Sequence, residues 1–207
     1  MSPRRRQNAA RKAELILKAG ELFWKNGFEN TSMREIAKLC GYEPANIYNY
    51  FENKEQLLYE VLYDDTIRAI QPIREFENDN TVNPLDQLRM VIKNDIVTVL
   101  GSPKRKASMM VFDFEIRNLT REHKRKIIQL RDMHDRIVFK IIGRGIERGD
   151  FRDIDPKLVG ISIISIILRS RIWFKNKRDK GVTMEQFADF VFDFVVKGLI
   201  SKSLEPK

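Results

Sequence analysis

The chain has 207 residues, 43% hydrophobic and 32% charged, which excludes wholesale disorder and supports a sizeable core. Lysine and arginine outnumber aspartate and glutamate by 38 to 29, a formal charge of +9. That surplus points to a polyanionic partner: nucleic acid, an anionic membrane surface or a phosphorylated ligand. Cys40 is the only cysteine, which excludes an internal disulfide and fits a reducing, cytoplasmic setting.

The opening MSPRRRQNAARK has a basic run with no apolar stretch behind it and does not read as a signal peptide. Arg4, Arg5 and Arg6 read either as an arm along the minor groove or phosphates, or as a frayed, solvated tail. No strand-period alternation and no internal repeat follow. The pattern predicts an all-α chain of about nine helices: Ala10–Asn26, Ser32–Cys40, Pro44–Tyr50, Lys54–Phe76, Pro84–Leu100, Pro103–Arg117, Arg121–Arg148, Asp155–Asn176 and Met184–Ser201. Breaks fall at Gly41, Asn53, Asn80–Asn83, Gly101–Pro103, Thr120, Gly149–Asp150 and Gly181. Helices before Phe51–Leu57 are mostly short and close together, and later ones are long. The seam there suggests a domain over 1–53 and a larger one over 54–207, with Pro72 ending or kinking the fourth helix. The apolar run Leu158–Leu168 stops at Arg169, too short to span a bilayer, so no membrane partner is expected. The triplets Asn30-Thr31-Ser32 and Asn118-Leu119-Thr120 match the glycosylation pattern by chance in a cytoplasmic protein.

The informative stretch is Thr31–Phe51. Ser32 and Glu35 form a capping box that starts a helix. Met33, Ile36, Ala37 and Cys40 then share one face. Gly41 suits the left-handed stop, and Pro44 suits the first turn of the next helix. Two short helices joined by a glycine-containing turn have the arrangement of a DNA-binding helix-turn-helix. The second helix carries Asn46, Tyr48, Asn49 and Tyr50: asparagine can bond an adenine edge, and tyrosine hydroxyls can reach phosphates. Lys54, behind Asn53, adds a cation. A helix pair with a glycine turn also occurs in many helical proteins that bind no DNA, and a wet Asn/Tyr surface accounts for the same residues.

From Ile16 onward, the segment ILKAGELFWKNGFENTSMREIAKLCGYEPANIYNYFENKEQLL resembles the DNA-binding domain of the TetR family. The matching features are Phe23…Gly27-Phe28, Thr31-Ser32, Ile36-Ala37, Gly41, Ile47-Tyr48, Tyr50-Phe51 and Lys54-Glu55…Leu57. The resemblance implies a helix-turn-helix repressor on a helical ligand-binding and dimerisation domain, working on a double-stranded DNA operator as a homodimer. It implies that Thr31, Ser32, Tyr48, Tyr50 and Lys54 touch phosphates. Arg34, Pro44, Ala45, Asn46 and Asn49 would meet bases or their surroundings, and Phe23, Phe28, Ile36, Ala37, Ile47 and Phe51 would be core. Pro44 and Ala45 depart from the Lys or Gln and the Gly that many members carry, so reading at Pro44 would be apolar.

In the last helix Phe187, Phe190, Val191 and Phe194 form one face, and Ala188, Phe192, Val195, Val196 and Leu199 spread around the other. Only Asp189, Asp193 and Lys197 make a polar stripe, so the helix needs two packing partners, one of them a second subunit. A deeply buried monomer core is the alternative. The resemblance implies that the last two helices pair across a dimer.

Phe112–Leu199 resembles, more weakly, the TetR-type regulators of fatty-acid and sterol degradation that answer to acyl-coenzyme A. Glu115–Leu119 and Arg169…Trp173 carry the likeness, which implies effector contacts from Phe112, Arg117, Asn118, Arg169, Trp173 and Lys175. Ser162, Ser165, Arg169 and Trp173 lie near one line of their helix, where a guanidinium and an indole suit coenzyme A phosphates and adenine. Arg169 pairing with Asp113 or Glu115, and Trp173 as core, account for the same residues. The basic clusters Lys104–Lys106, Lys124–Lys126 and Lys175…Arg178 suit a pocket mouth or a solvated face. A different apolar ligand, as in drug-efflux regulators, and a nonspecific DNA-compacting protein are the other readings. No catalytic residue, metal site or cofactor is expected: His123 and His134 stand eleven apart on one helix, and no H-E-x-x-H, Cys pair, G-x-S-x-G or phosphate-cradling loop occurs.

Overall fold

A computed structural model describes residues 2–101, 114–174 and 181–200. These contain seven α-helices and three 3-10 segments: α1 Pro3–Asn26, α2 Met33–Leu39, a 3-10 segment Pro44–Asn49, α3 Lys54–Ile70, a 3-10 segment Gln71–Glu77, α4 Pro84–Leu100, a 3-10 turn Ile116–Asn118, α5 Arg121–Glu147, α6 Pro156–Trp173 and α7 Met184–Leu199. Among the described residues the only extended pairing is an isolated bridge between Phe151 and Ile200. The chain is all-α.

Local chemistry sets most of the ends. Asn83, Asp155 and Thr183 each accept a backbone N–H at the start of α4, α6 and α7, and Thr183 forms a capping box with Gln186. The α-helical part of the fourth predicted helix ends at Ile70, two residues before Pro72, and continues only as 3-10. The first helix corrects the expectation of an arm or tail. It begins at Pro3, with Ser2 as its cap, so Arg4, Arg5 and Arg6 are helical. Most of the predicted helix Pro103–Arg117 lies outside the described residues.

The described residues fall into two compact units, one drawn from Met1–Ile67 and Ser102–Gln129, the other from Arg68–Gly101 and Leu130–Lys207. The core of the first holds Leu15, Phe23, Phe28, Ile36, Ala37, Ile47, Phe51 and Leu57, joined by Leu119 and Ile127 from far along the chain. All six residues expected as core in this region are buried. The second unit buries Leu88, Val91 and Ile96 of α4, Ile137, Val138 and Ile141 of α5, Ile163 and Ile167 of α6, and Phe187, Val191 and Leu199 of α7. Inside it Arg144 donates to the Phe76 carbonyl at 2.8 Å and to Gln87 Oε1 at 2.7 Å.

Candidate nucleic-acid interface and effector residues

The helix-turn-helix is built from short-range chemistry. Ser32 Oγ accepts from Glu35 N at 3.2 Å, and Glu35 Oε2 accepts from Ser32 N at 2.8 Å, closing the capping box at the start of α2. The Ser32 N–H, together with the Ser32 hydroxyl donating to the same Oε2 at 2.8 Å, holds the exposed Glu35 carboxyl below its ordinary range. Gly41 takes φ 71°, which lets the chain leave α2. Pro44 then opens the recognition segment, which corrects the expected α-helix: Pro44–Asn49 is 3-10, with no side-chain cap from Glu43. Asn46 N bonds the Glu43 carbonyl and Tyr50 N the Ile47 carbonyl, both three residues back. Ile47 anchors the segment in the core at 0% exposure. Around that anchor Ala45, Asn46, Tyr48 and Asn49 are exposed, while Pro44 and Tyr50 are half-buried. Ser32 and Arg34 are exposed beside them. Ser32→Ala is expected to cost about 1 kcal/mol, or roughly 2–4 °C in Tm, with Ser32→Gly costing only a few tenths. Unchanged thermal melts for both would show that the cap does not hold the motif.

Two expected phosphate contacts are engaged elsewhere. Thr31 is buried, and its hydroxyl donates to the Gly27 carbonyl at 2.8 Å, closing the end of α1. Its side chain is therefore a strut of the motif. Lys54 is half-buried. Its Nζ donates to the Phe28 carbonyl at 2.8 Å and lies 4.4 Å from the centre of the Phe28 ring.

The expected effector residues are placed only in part. Phe112 and Lys175 lie outside the described residues, as do Asp113, Lys104–Lys106 and Lys177-Arg178. Arg117 is exposed, and Asn118 donates to Glu115 Oε2 at 2.6 Å. Glu115 is buried and also accepts from Phe28 N at 3.0 Å within the first unit. Arg169 is exposed, along with Ser162 and Ser165 on the same line. The buried arginine of α6 is Arg171, whose Nε donates to the Leu168 carbonyl at 2.8 Å. Trp173 packs edge-on to Phe187, with centroids 5.2 Å apart, and beside Phe174.

The dimerisation face is also split. Phe187 and Val191 are 4% and 0% exposed, covered by their own subunit. Phe190 and Phe194 are 63% and 61% exposed and stack on each other at 6.1 Å. On α6, Leu158, Ile161 and Ile172 are exposed as well.

Residues 15–61 match the family described as bacterial regulatory proteins, tetR family, and residues 81–199 match the tetracyclin repressor-like C-terminal domain. The chain belongs to the TetR family. It is 26% identical over 171 residues to the HTH-type transcriptional repressor KstR2 of Mycolicibacterium smegmatis, with 82% of each chain covered. It is 23% identical over 199 residues to the fatty acid metabolism regulator protein of Bacillus subtilis, covering 95% of this chain and 100% of that one. The crystal structure of AibR in complex with isovaleryl coenzyme A and operator DNA shares the fold, with a TM-score of 0.74 at 24% identity, over 89% of this chain and 97% of that one. As a TetR-family protein the chain is a DNA-binding transcriptional repressor. No described helix is long and apolar enough to cross a membrane.

In this TetR-family chain the tie between Glu115 and Phe28 N is hidden in the sequence because its partners stand 87 residues apart. Glu55 is similar. It accepts from Thr120 N at 2.7 Å and from His123 Nδ1 at 2.9 Å, and the His123 ring stacks on Tyr59 at 4.0 Å. The motif's Lys54-Glu55 pair, expected to serve DNA through the lysine, also anchors the start of α5 through the glutamate.

Proposed function

We propose that the protein represses its target genes by binding a pseudo-palindromic operator as a homodimer, and that a long-chain acyl-coenzyme A releases it, placing its targets in fatty-acid or lipid metabolism. The observation that carries the DNA-reading part is the recognition segment, pinned by the fully buried Ile47 while Ala45, Asn46, Tyr48 and Asn49 stand free. Asn46 and Asn49 can pair with adenine edges, Tyr48 and Tyr50 with phosphates, and Ser32 and Arg34 flank them. A dimer would set two such segments roughly 34–36 Å apart, one per major-groove half-site. An acyl-coenzyme A lowers operator affinity only if it binds better to a state with a different spacing.

The effector class rests on the relatives: a fatty acid metabolism regulator and a regulator solved with isovaleryl coenzyme A and operator DNA. An acyl tail gains roughly 0.8 kcal/mol per buried CH2, which favours long chains over free coenzyme A. The test is operator binding at fixed salt, with nonspecific competitor, in the presence of a long-chain acyl-coenzyme A, free coenzyme A or free fatty acid. Release by the thioester alone is the expected result. Specific binding that ignores all three compounds would sink the effector reading and leave the repressor standing.

A further inference from the structure

Helix α1 runs well past the body that it helps to build. Its first buried residue is Leu15, and residues 2–11 are exposed throughout. Its first side-chain contacts with the rest of the first unit come at Arg11, whose guanidinium lies 5.8 Å from the Tyr42 ring centre, and at Lys12, which pairs with Glu60 of α3 at 2.7 Å. Pro3–Ala10 therefore projects beyond the domain for roughly 12 Å at 1.5 Å per residue. Nothing in this projection serves packing. Its charge is one-sided: residues 1–12 hold Arg4, Arg5, Arg6, Arg11 and Lys12, and the first acid is Glu14. The guanidinium groups of Arg4, Arg5 and Arg6 meet no carboxylate among the described residues. The first turn holds no acid, so three cations sit at the positive end of a helix dipole, which weakens the helix.

The direction of this projection is set by the helix itself. Arg4, Asn8 and Arg11 fall at i, i+4 and i+7, one stripe of α1, with Arg5 and Lys12 beside it. The stripe leads into Arg11 and Glu14, and both engage Tyr42, Glu14 by accepting its hydroxyl at 2.8 Å. Tyr42 sits in the turn that feeds Pro44, at the start of the recognition segment, and in helix-turn-helix proteins that end meets the bases. The cationic stripe thus continues the DNA-facing edge of the motif outward by about the width of a major groove, roughly 12 Å.

We propose that the first two turns of α1 form a helical phosphate clamp on the operator's flanks, with Arg4 and Arg5 leading and Arg6 at its side, reading backbone charge and no sequence. This rests on the operator-binding reading above and adds to it a second DNA contact that is helical rather than an extended arm.

The probe is the duplex that the protein recovers from a random-sequence library, either trimmed to the core site or extended by about one helical turn, ~10 base pairs, on each side. The wild-type protein is expected to bind the extended duplex about tenfold or more tighter, with the steeper salt dependence that added phosphate contacts bring. The triple variant Arg4→Gln, Arg5→Gln, Arg6→Gln is expected to lose that gain and to flatten the log-affinity against log-salt slope by about 0.9 for each contact removed. Ala9→Pro keeps every charge and breaks the helix at an exposed position, and is expected to lose the gain as well. The clamp is overturned if the triple variant keeps the wild-type slope. An Ala9→Pro protein that keeps the full gain shows an unstructured arm instead, and a gain that depends on A·T or G·C flanks shows minor-groove reading; either rejects the clamp. A wild-type protein that recovers no preferred duplex fails the repressor reading itself, an outcome separate from these.

Discussion

His134→Leu is expected to be among the most destabilising single changes in the second unit, costing about 3–5 kcal/mol, or roughly 6–20 °C in apparent Tm. His134 Nε2 lies 3.1 Å from both carboxylate oxygens of Asp95, and the two side chains are only 11% and 8% exposed. Asp135 approaches the other ring nitrogen at 3.6 Å, and Asn94 donates to Asp95 at 3.3 Å. Burial alone would push the imidazole down, but the Asp95 charge and the bonds to Asp135 and Asp95 prevail and hold it up at about 10. Leucine in its place strands a carboxylate in the core. Substituting both partners, His134→Leu with Asp95→Leu, removes the stranded charge and is expected to recover most of the loss. Failure of the double variant to recover any of it would show that shape, not charge, is what His134 supplies.

The same pair fixes a sign for pH. The folded-state pKa stands above the ordinary 6.5, so the folded protein holds its proton more tightly than the unfolded chain does. Its contribution is complete below about 6.5 and is lost as pH rises through about 10. The stability difference between wild type and the doubly apolar variant is expected to shrink or reverse over that window, read as paired melts across pH. A difference that stays constant would mean that His134 does not titrate there.

Much of the fold is legible because it is written in local chemistry. Ser32 with Glu35, Gly41, Pro72, Asn83 and Asp155 mark ends that side chains and backbone angles decide within a few residues. What the sequence hides is rotation. Leu158–Leu168 is apolar on every side, so its pattern does not say which side meets the core. The structure turns Ile163, Ile167, Ser170 and Arg171 inward and leaves Ser162, Ser165 and Arg169 outside, reversing the arginine assignment. In α7 the ambiguity is the same: Phe187 and Val191 share an angular sector with Phe190 and Phe194, yet only the last two are free. The site suffers for a further reason. Thr31 and Lys54 match a motif by residue type, but the Gly27 carbonyl four residues back accepts from the Thr31 hydroxyl, and the Phe28 carbonyl, 26 residues away, accepts from Lys54.

The rotation of α6 and α7 makes the second large prediction. Leu158, Ile161, Ser165, Leu168 and Ile172 repeat at three and four residues along α6, the spacing of a helix-pairing seam. Phe190 and Phe194 add two exposed rings on α7. Phe190→Asp with Phe194→Asp is expected to leave the subunit folded, because neither ring is part of its core, and to raise the dimer dissociation constant on the order of 10^3-fold or more, since a two-fold interface meets each change twice. Operator affinity is expected to fall with it, because each monomer keeps a single half-site. Phe187→Asp is the contrasting variant: its ring is 4% exposed within one subunit, so it is expected to lower Tm as well as disturb assembly. Sedimentation and melting of the three proteins separate these effects. If the double aspartate variant still sediments as the wild-type dimer and binds the operator unchanged, the subunits meet through another face, and the exposed rings of α7 require a different partner.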